Sequence, residues 1–389
     1  MRGRVLAGIG AGVLGRWITP GLAEEVLAEA RAGLAGRLAA GETLPGQRFR
    51  LLPGRLGVSF VLGLCLFSDL PYGQVLRELA SGLAGPLAAA GWRVPAATAL
   101  TRARRRLGEK PFELLLERLR GPLSPGAAPW SHICGLLAVA WDGTMVKAAA
   151  STENAAAFGR PRARKTGHYP QVRVVALVAC GTRGLIGAVL GPLGKGERTL
   201  ARDLVARLRA GMLLLADRGF YSFGLWRAAA ATRADLLWRV KGNLLLPVVQ
   251  PLPDGSWLAH INDPAAMRRR CRRNGERRRR GSRLGPDTGA LPGITVRVIE
   301  FWLTVTTGDG AARTERYRLI TTLLDHTAAP AAALAAGYAR RWAIEIGHCW
   351  YRSCCAFSWL RPFVVAGSRS GRCPPGAGVE ARRACPALA

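Results

Sequence analysis

LLAVAWDGT, residues 136–144, is the stretch whose reading decides the fold. Six consecutive apolar residues offer no polar face, so the run reads as a buried strand rather than a surface one. It ends on an acid, Asp142. MLLLADRGF (212–220) repeats the design: a buried strand, then Asp217. The end of a buried strand is where an open sheet carries its chemistry. Further β-like runs lie beside these two: ICGLLAVAW (133–141, containing the first), QVRVVALVACG (171–181), GLIGAVLGPL (184–193) and ADLLWRVKG (234–242). ERTLARDLVARLRAG (197–211) has helical spacing and leads into the strand 212–216. Residues 130–245 therefore read as a mixed α/β domain.

On the N-terminal side, residues 1–125 read as helical. Thr19 is placed to cap a helix with Pro20 in its first turn, and LAEEVLAEARAGLAGRLA continues it. LGVSFVLGLCLF (56–67) is too short to span a membrane and reads as a buried helix. No signal-like cleavage site follows it, so a cytoplasmic protein is expected. PYGQVLRELASGLAGPL (71–87) and ALTRARRRLG, with Thr98 as its expected cap, form a helix, a turn and a basic helix. That order suits DNA binding, with Arg104 and Arg105 among the candidate contacts, although a solvated basic face fits equally. Gly121 to Pro129 is rich in Pro, Gly and Ser and marks a boundary.

On the C-terminal side, residues 246–325 interrupt the α/β pattern and read as a β-rich insertion, with strands in GITVRVIEFWLTV (293–305) and ERYRLITTLL (315–324). MRRRCRRNGERRRRGSR (267–283) holds ten Arg, and charge repulsion predicts a loop there, either a phosphate-contacting arm or a solvated tip. Trp302 reads as a packing residue, with stacking on an unpaired base as its other reading. A core helix follows over 326–345, and in AAALAAGYARRWAIE (331–345) Tyr338, Arg341 and Glu345 fall at i, i+3 and i+7, on one helical face. From 346 to 389 the helical pattern fades and Cys, Pro and Gly crowd in, so this tail reads as out of frame or disordered.

The chain of 389 residues is 49% apolar, which excludes general disorder and suggests two or three domains. Its net charge of +31 points to a polyanionic partner, nucleic acid before a membrane surface. Only 5 of the 56 basic residues are Lys, an Arg bias that codon composition can also produce. Nine Cys are present, five of them after residue 345, and their spacing fits neither a zinc site nor a disulfide framework.

Two strand-end aspartates and a helical glutamate are the equipment to hold a pair of divalent metals and cut a phosphodiester bond. Each acid has a plainer reading: Asp142 and Asp217 as turn formers, Glu345 as a partner of Arg341. A small-molecule metal phosphohydrolase also uses DGT, but it predicts a nearby D-x-D, and Ala140 stands in that place.

WDGT, ADRGFYS and Y-x2-R-x3-E resemble the three acidic motifs of DDE insertion-sequence transposases of the insertion-sequence-four type, whose signature is Y-x2-R-x3-E-x6-K. FRLLPGRLGVSFVLGLCLFSDLPYGQVLREL and TALTRARRRLG resemble that group's N-terminal region. The resemblance implies an RNase H-like core with a β-rich insertion. It implies that Asp142, Asp217 and Glu345 are catalytic and hold two Mg2+ or Mn2+ ions. It also implies that Tyr338 and Arg341 contact phosphate, and that Arg239 and Lys241 line a DNA channel. The implied partners are double-stranded DNA, both terminal inverted repeats and target, and a second copy of the chain as a homodimer. The implied reaction is nicking at the element ends followed by strand transfer. Arg352 occupies the signature's Lys position, within the tail that reads as out of frame. A copy that binds DNA without cleaving it is therefore the alternative.

Overall fold

The computed structural model describes residues 18–39, 54–67, 70–81, 94–120, 129–148, 150–161, 169–280, 286–306 and 312–341. Glu345, the linker 121–128 and the tail from 346 lie outside the described residues. The N-terminal part is helical: α1 (Pro20–Ala39), α2 (Gly54–Leu66), α3 (Tyr72–Ser81), α4 (Ala97–Leu107) and α5 (Lys110–Leu119). These share one apolar cluster built on Val26, Phe60, Val75, Leu76, Leu100 and Leu115. The expected Thr19 cap forms, since its hydroxyl accepts from the Leu22 amide at 3.2 Å. The expected Thr98 cap does not. Ala96 is the N-cap of α4, without a side-chain bond, and Thr98 lies inside the helix. The Thr98 assignment missed because the chain enters the helical region one residue before it.

Arg104 is corrected by the structure. Burial leaves it 6% exposed, and its Nη1 donates to the Tyr72 hydroxyl at 2.5 Å, joining α4 to α3. Burial is also the main cause that holds its pKa below the usual guanidinium range. In this conformation its guanidinium is turned into the helical domain, whereas Arg105 is exposed. Arg207 joins the two parts of the chain through Glu117 at 2.7 Å.

The remaining strands are β1 (His132–Ile133), β2 (Leu136–Lys147), β3 (Gln171–Ala179), β4 (Leu185–Pro192), β5 (Met212–Ala216), β6 (Asp235–Arg239), β7 (Gln250–Pro251), β8 (Trp257–Asn262), β9 (Gly293–Thr306) and β10 (Ala312–Thr321). Their order is β4-β3-β2-β5-β6-β10-β9-β8-β7, with β1 beside β2. β2, β3 and β4 are antiparallel neighbours, while β2, β5 and β6 run parallel. That half of the sheet has the RNase H-like arrangement. The strands of the expected β-rich insertion continue the same sheet, since β10 pairs with β6 through Leu319↔Arg239.

Helices cover both faces. α6 (Thr152–Phe158) packs Phe158 against Val172 and Val174 near the β4 edge, while α7 (Glu197–Leu204) and α8 (Phe223–Ala230) cover one face, where their Leu200, Leu204, Leu225 and Trp226 pack on Trp141, Leu214 and Trp238. α9 (Pro264–Arg279) follows β8, and α10 (Ala331–Tyr338) packs its Leu334 and Tyr338 on the other face, against Ala140, Leu215 and Leu237.

The predicted loop at 267–283 is therefore mostly helix. Asp263 Oδ1 accepts from the Ala265 amide at 2.8 Å, Pro264 follows in the first turn, and Arg is a good helix former. A few tenths of a kcal/mol of repulsion per like-charge pair does not overcome these terms. Trp302, expected to pack, is 69% exposed.

Arg297, on β9, is fully buried. It donates to Ala329 O (2.6 Å), Ser256 Oγ (2.8 Å) and Asp254 Oδ2. The same Asp254 oxygen accepts from the Ala331 amide at 2.9 Å, at the start of α10. A carboxylate there suits the positive end of the helix. This network pins α10 to the β7–β8 turn.

Candidate active site

Strand register brings the two aspartates together. β2 and β5 pair in parallel from Leu137↔Met212 to Ala140↔Leu215, a constant offset of 75 residues, so Asp142 is level with Asp217. Neighbouring strands lie about 4.8 Å apart, which sets the backbone spacing of the two residues. Both strands alternate between the two cores. Val139 and Trp141 face α7 and α8, and Ala138 and Ala140 face α10. By this period Asp142 and Asp217 both fall on the α10 face. β5 and β6 pair up to Ala216↔Trp238, so Arg239 completes a row across three parallel strands: Asp142, Asp217, Arg239.

Main-chain anchors hold Asp217 from both sides of the sheet. Trp238 Nε1 donates to its carbonyl at 3.1 Å, from an aromatic cluster in which Trp238 meets Trp141, Trp226 and Tyr221. From the other face, the Tyr338 hydroxyl donates to Ala216 O at 3.2 Å. Asp217 Oδ1 is a buried atom with no hydrogen-bond donor among the described residues. Arg239 Nη1 stands 3.8 Å from it. Asp142, expected at a strand end, lies within β2, which runs on to Lys147 in its pairing with β3. A buried, unfilled carboxylate oxygen beside this second carboxylate fits a hard cation, which prefers oxygen ligands. Asp142 Oδ1 accepts from the Gly143 amide at 2.9 Å.

Gly143 has its own reason to be small. A Cβ there would stand 2.7 Å from the carboxyl carbon of Glu197, which pairs with Arg173 at 3.0 Å.

Three further candidates are buried rather than presented to solvent. Tyr338 is 2% exposed, and burial first, with the Asp217 charge adding, pushes its phenol upward, against the opposing effect of Arg341 and Arg239. Arg341 is 5% exposed, with its guanidinium 5.8 Å from the Tyr338 ring centre. Arg239 is 8% exposed, lies 3.7 Å over the Tyr317 ring, and bonds Glu315 at 2.5 Å. In this conformation Tyr338 anchors the helix, and Arg239 bridges Asp217 to Glu315. Neither lies on an open DNA surface. Lys241, two residues past β6, is exposed. Sequence reading missed Trp238, Glu315, Tyr317, Asp254 and Arg297. Only the buried aromatic pattern of DLLWR signalled any of them.

α10 approaches β1 closely enough to require glycine. A Cβ on Gly337 would lie 2.8–3.1 Å from three carbons of Ile133. Gly337→Ala is expected to cost about 1–3 kcal/mol by overpacking. Denaturant unfolding reads the loss, and an added Ile133→Ala should recover part of it; no recovery would place the strain elsewhere.

Comparison with known proteins agrees with this architecture. Residues 134–361, more than half the chain, match the family described as transposase DDE domain. The chain belongs to that family. Residues 11–117 match the insertion element 4 transposase N-terminal family, so the order of the two parts is also that of this group. The DDE match continues past Glu345 into the stretch that reads as out of frame. Transposase InsG of insertion sequence element IS4, from Escherichia coli K12, is 26% identical over 306 residues, 77% of this chain and 62% of InsG. Putative transposase InsZ of the same strain is 29% identical over 180 residues, 45% of this chain and 56% of InsZ. The chain thus spans about three fifths of the length of these relatives. A cryo-EM structure of a piggyBac transposase synaptic complex with hairpin DNA overlaps with a TM-score of 0.38 at 10% identity, over 90% of this chain and 68% of that one, too loosely to carry weight. Among the described residues, no helix is long and apolar enough to cross a membrane.

Proposed function

We propose that this chain is a DNA transposase that cleaves double-stranded DNA at the terminal inverted repeats of its element and joins the freed ends to target DNA. The observation that carries the reading is the level pairing of Asp142 and Asp217 on adjacent parallel strands, with an unfilled buried oxygen on Asp217. Both lie on the face covered by α10, whose chain direction leads on to Glu345.

Asp142, Asp217 and Glu345 are the residues that would hold two Mg2+ or Mn2+ ions. When bound, such ions supply Lewis acidity that activates the attacking water or 3′-hydroxyl and offsets charge on the leaving oxygen. The chain's own part is alignment. Trp238 and Tyr338 fix the main chain at Asp217 and Ala216 from opposite faces, so its carboxylate keeps one orientation. Arg239, held by Glu315 and Tyr317, puts a fixed positive charge beside the row, where an incoming phosphate would otherwise be repelled by the carboxylates. Lys241 is exposed and open to phosphate, whereas Arg341 reaches it only once DNA opens the α10 face, in a homodimer that holds both element ends. The DNA partner fits a location at the nucleoid.

Nicking of a duplex carrying the flanking inverted repeat tests this, with Mg2+ and with a chelator. Mg2+-dependent nicks at the repeat boundary are expected. Tight binding of the repeat without nicking identifies a transposase remnant, and no preference for the repeat overturns the reading.

A further inference from the structure

α9 is the most cationic element among the described residues, and the Asp142–Asp217 site does not use it. Its sixteen residues carry eight arginines and one acid, Glu276. Only Ala266 is fully buried. Ala266, Arg270, Asn274 and Arg277 recur at helical spacing and are the residues turned toward the protein. They are held by polar staples to the strap before β9. Arg270 Nη1 donates to Gly289 O at 2.7 Å, Asn274 Nδ2 donates to Asp287 O at 3.2 Å, and Asn274 Oδ1 accepts from the Asp287 amide at 2.8 Å. Arg273 adds an ion pair to Asp287 at 2.8 Å.

The outward side is arginine. Arg268, Arg272 and Arg279 stand at i, i+4 and i+11, one stripe of the helix, with Arg269 and Arg278 flanking them, and all five are exposed. Arg272 has Glu276 at 3.4 Å, whereas Arg268, Arg269, Arg278 and Arg279 have no hydrogen bond or ion pair among the described residues. Such a helix is about 24 Å long. The five outward arginines over that length give roughly one cation per 5 Å, comparable with the 3.4 Å phosphate spacing along one DNA strand.

Place in the fold separates α9 from the carboxylate row. β8, which feeds it, is four strands from β5, about 19 Å across the sheet. The start of α9 also lies at the Gly293 end of β9, whereas the level of Arg239 falls at Ile299, about 20 Å further along the strand, since Asn262 pairs with Gly293 while Ile299 pairs with Leu319 opposite Arg239. One phosphate cannot touch both.

We propose that α9 is a sequence-independent duplex-DNA-binding helix, gripping the phosphate backbone within about one turn of the strand being processed. Rigidity distinguishes it from a solvated charge run. The cap at Asp263 and the Asn274–Asp287 staples hold the arginines in one orientation without neutralising the outward stripe. Phosphates relieve the repulsion along the helix, and counterion release drives the binding.

The test uses the full chain, a labelled duplex of about 30 base pairs with no element end, and a chelator, so no cleavage enters. Affinity is read against salt for the wild type, for Arg268→Gln/Arg269→Gln/Arg272→Gln/Arg279→Gln, and for the corresponding four Lys substitutions. Four lost phosphate contacts should lower the slope of log K against log salt by about 3–4 and weaken binding on the order of 100-fold or more at physiological salt. The Lys version should keep the slope. In the wild type, bound duplex should protect the same four arginines from a glyoxal reagent. An unchanged slope in the Gln version, a Lys version as weak as the Gln version, or no protection overturns the proposal. So does tighter binding to anionic vesicles or to RNA than to duplex. Because the duplex lacks an inverted repeat and the metal is chelated, failure here is independent of failure in the nicking assay.

Discussion

Asp217→Asn is expected to remove metal-dependent nicking while leaving the fold in place. The substitution keeps the side chain's volume and both main-chain anchors, the Trp238 bond to the Asp217 carbonyl and the Tyr338 bond to Ala216 O. It deletes the negative charge that a divalent ion needs at the middle of the Asp142–Asp217–Arg239 row. Loss of one anionic ligand removes several kcal/mol of transition-state stabilisation, roughly a thousandfold in rate. Nicking rates under single turnover, beside a thermal melt, separate the two effects. Asp142→Ala should give the same loss. Nicking retained in either variant would take that residue out of the catalytic assignment, and an equal loss of melting temperature and activity would assign Asp217 to the fold instead.

Asp254→Ala is expected to destabilise the protein by about 3–5 kcal/mol, because it strands the fully buried Arg297 without its carboxylate. It also removes the acceptor for the first amide of α10, so Tyr338 should lose its anchor at Ala216. Asp254→Ala combined with Arg297→Met should cost less than the two single changes summed, since the unpaired charge is then gone. Denaturant unfolding of the four proteins measures this, and strict additivity would mean that the pair is not coupled.

The same pair predicts an acid limit. Burial alone would raise the Asp254 carboxyl, but hydrogen bonds from Ser256 and Ala331 and the Arg297 charge outweigh it and lower it to about 2 from 3.8. A carboxyl depressed on folding stabilises the fold above its unfolded pKa, and that contribution fades as pH falls from about 4 to 2. Its full size is roughly 2 kcal/mol. Stability measured across that range should show a step that Asp254→Ala lacks.

Local physics was legible in the chain text. Buried strands announce themselves by uninterrupted apolar runs, and β5 coincides residue for residue with MLLLA. The Thr19 cap and the buried helix at 54–66 follow from single side chains and composition. Both aspartates were readable for the same reason: an acid directly after or within such a run has few places to go. α9 was misread because repulsion was weighed without the cap at Asp263 and the staples to Asp287, thirteen and fourteen residues away from the groups they hold.

Sequence alone determined most of the strands, the helical N-terminal part, the two aspartates and the family motifs, since each depends on residues a few positions apart; β7 and β8 were not legible, and Asp142, expected at a strand end, lies within β2 because the strand runs on to Lys147. Tertiary structure decided which arginines face solvent. Arg104 stands in the sequence as one of a basic cluster, and Arg239 and Arg297 as charges in apolar runs. Each is buried because a partner 32, 76 or 43 residues away supplies a hydroxyl or a carboxylate that offsets desolvation. Whether a guanidinium is buried or exposed is set by that distant partner, so no local window of sequence contains it.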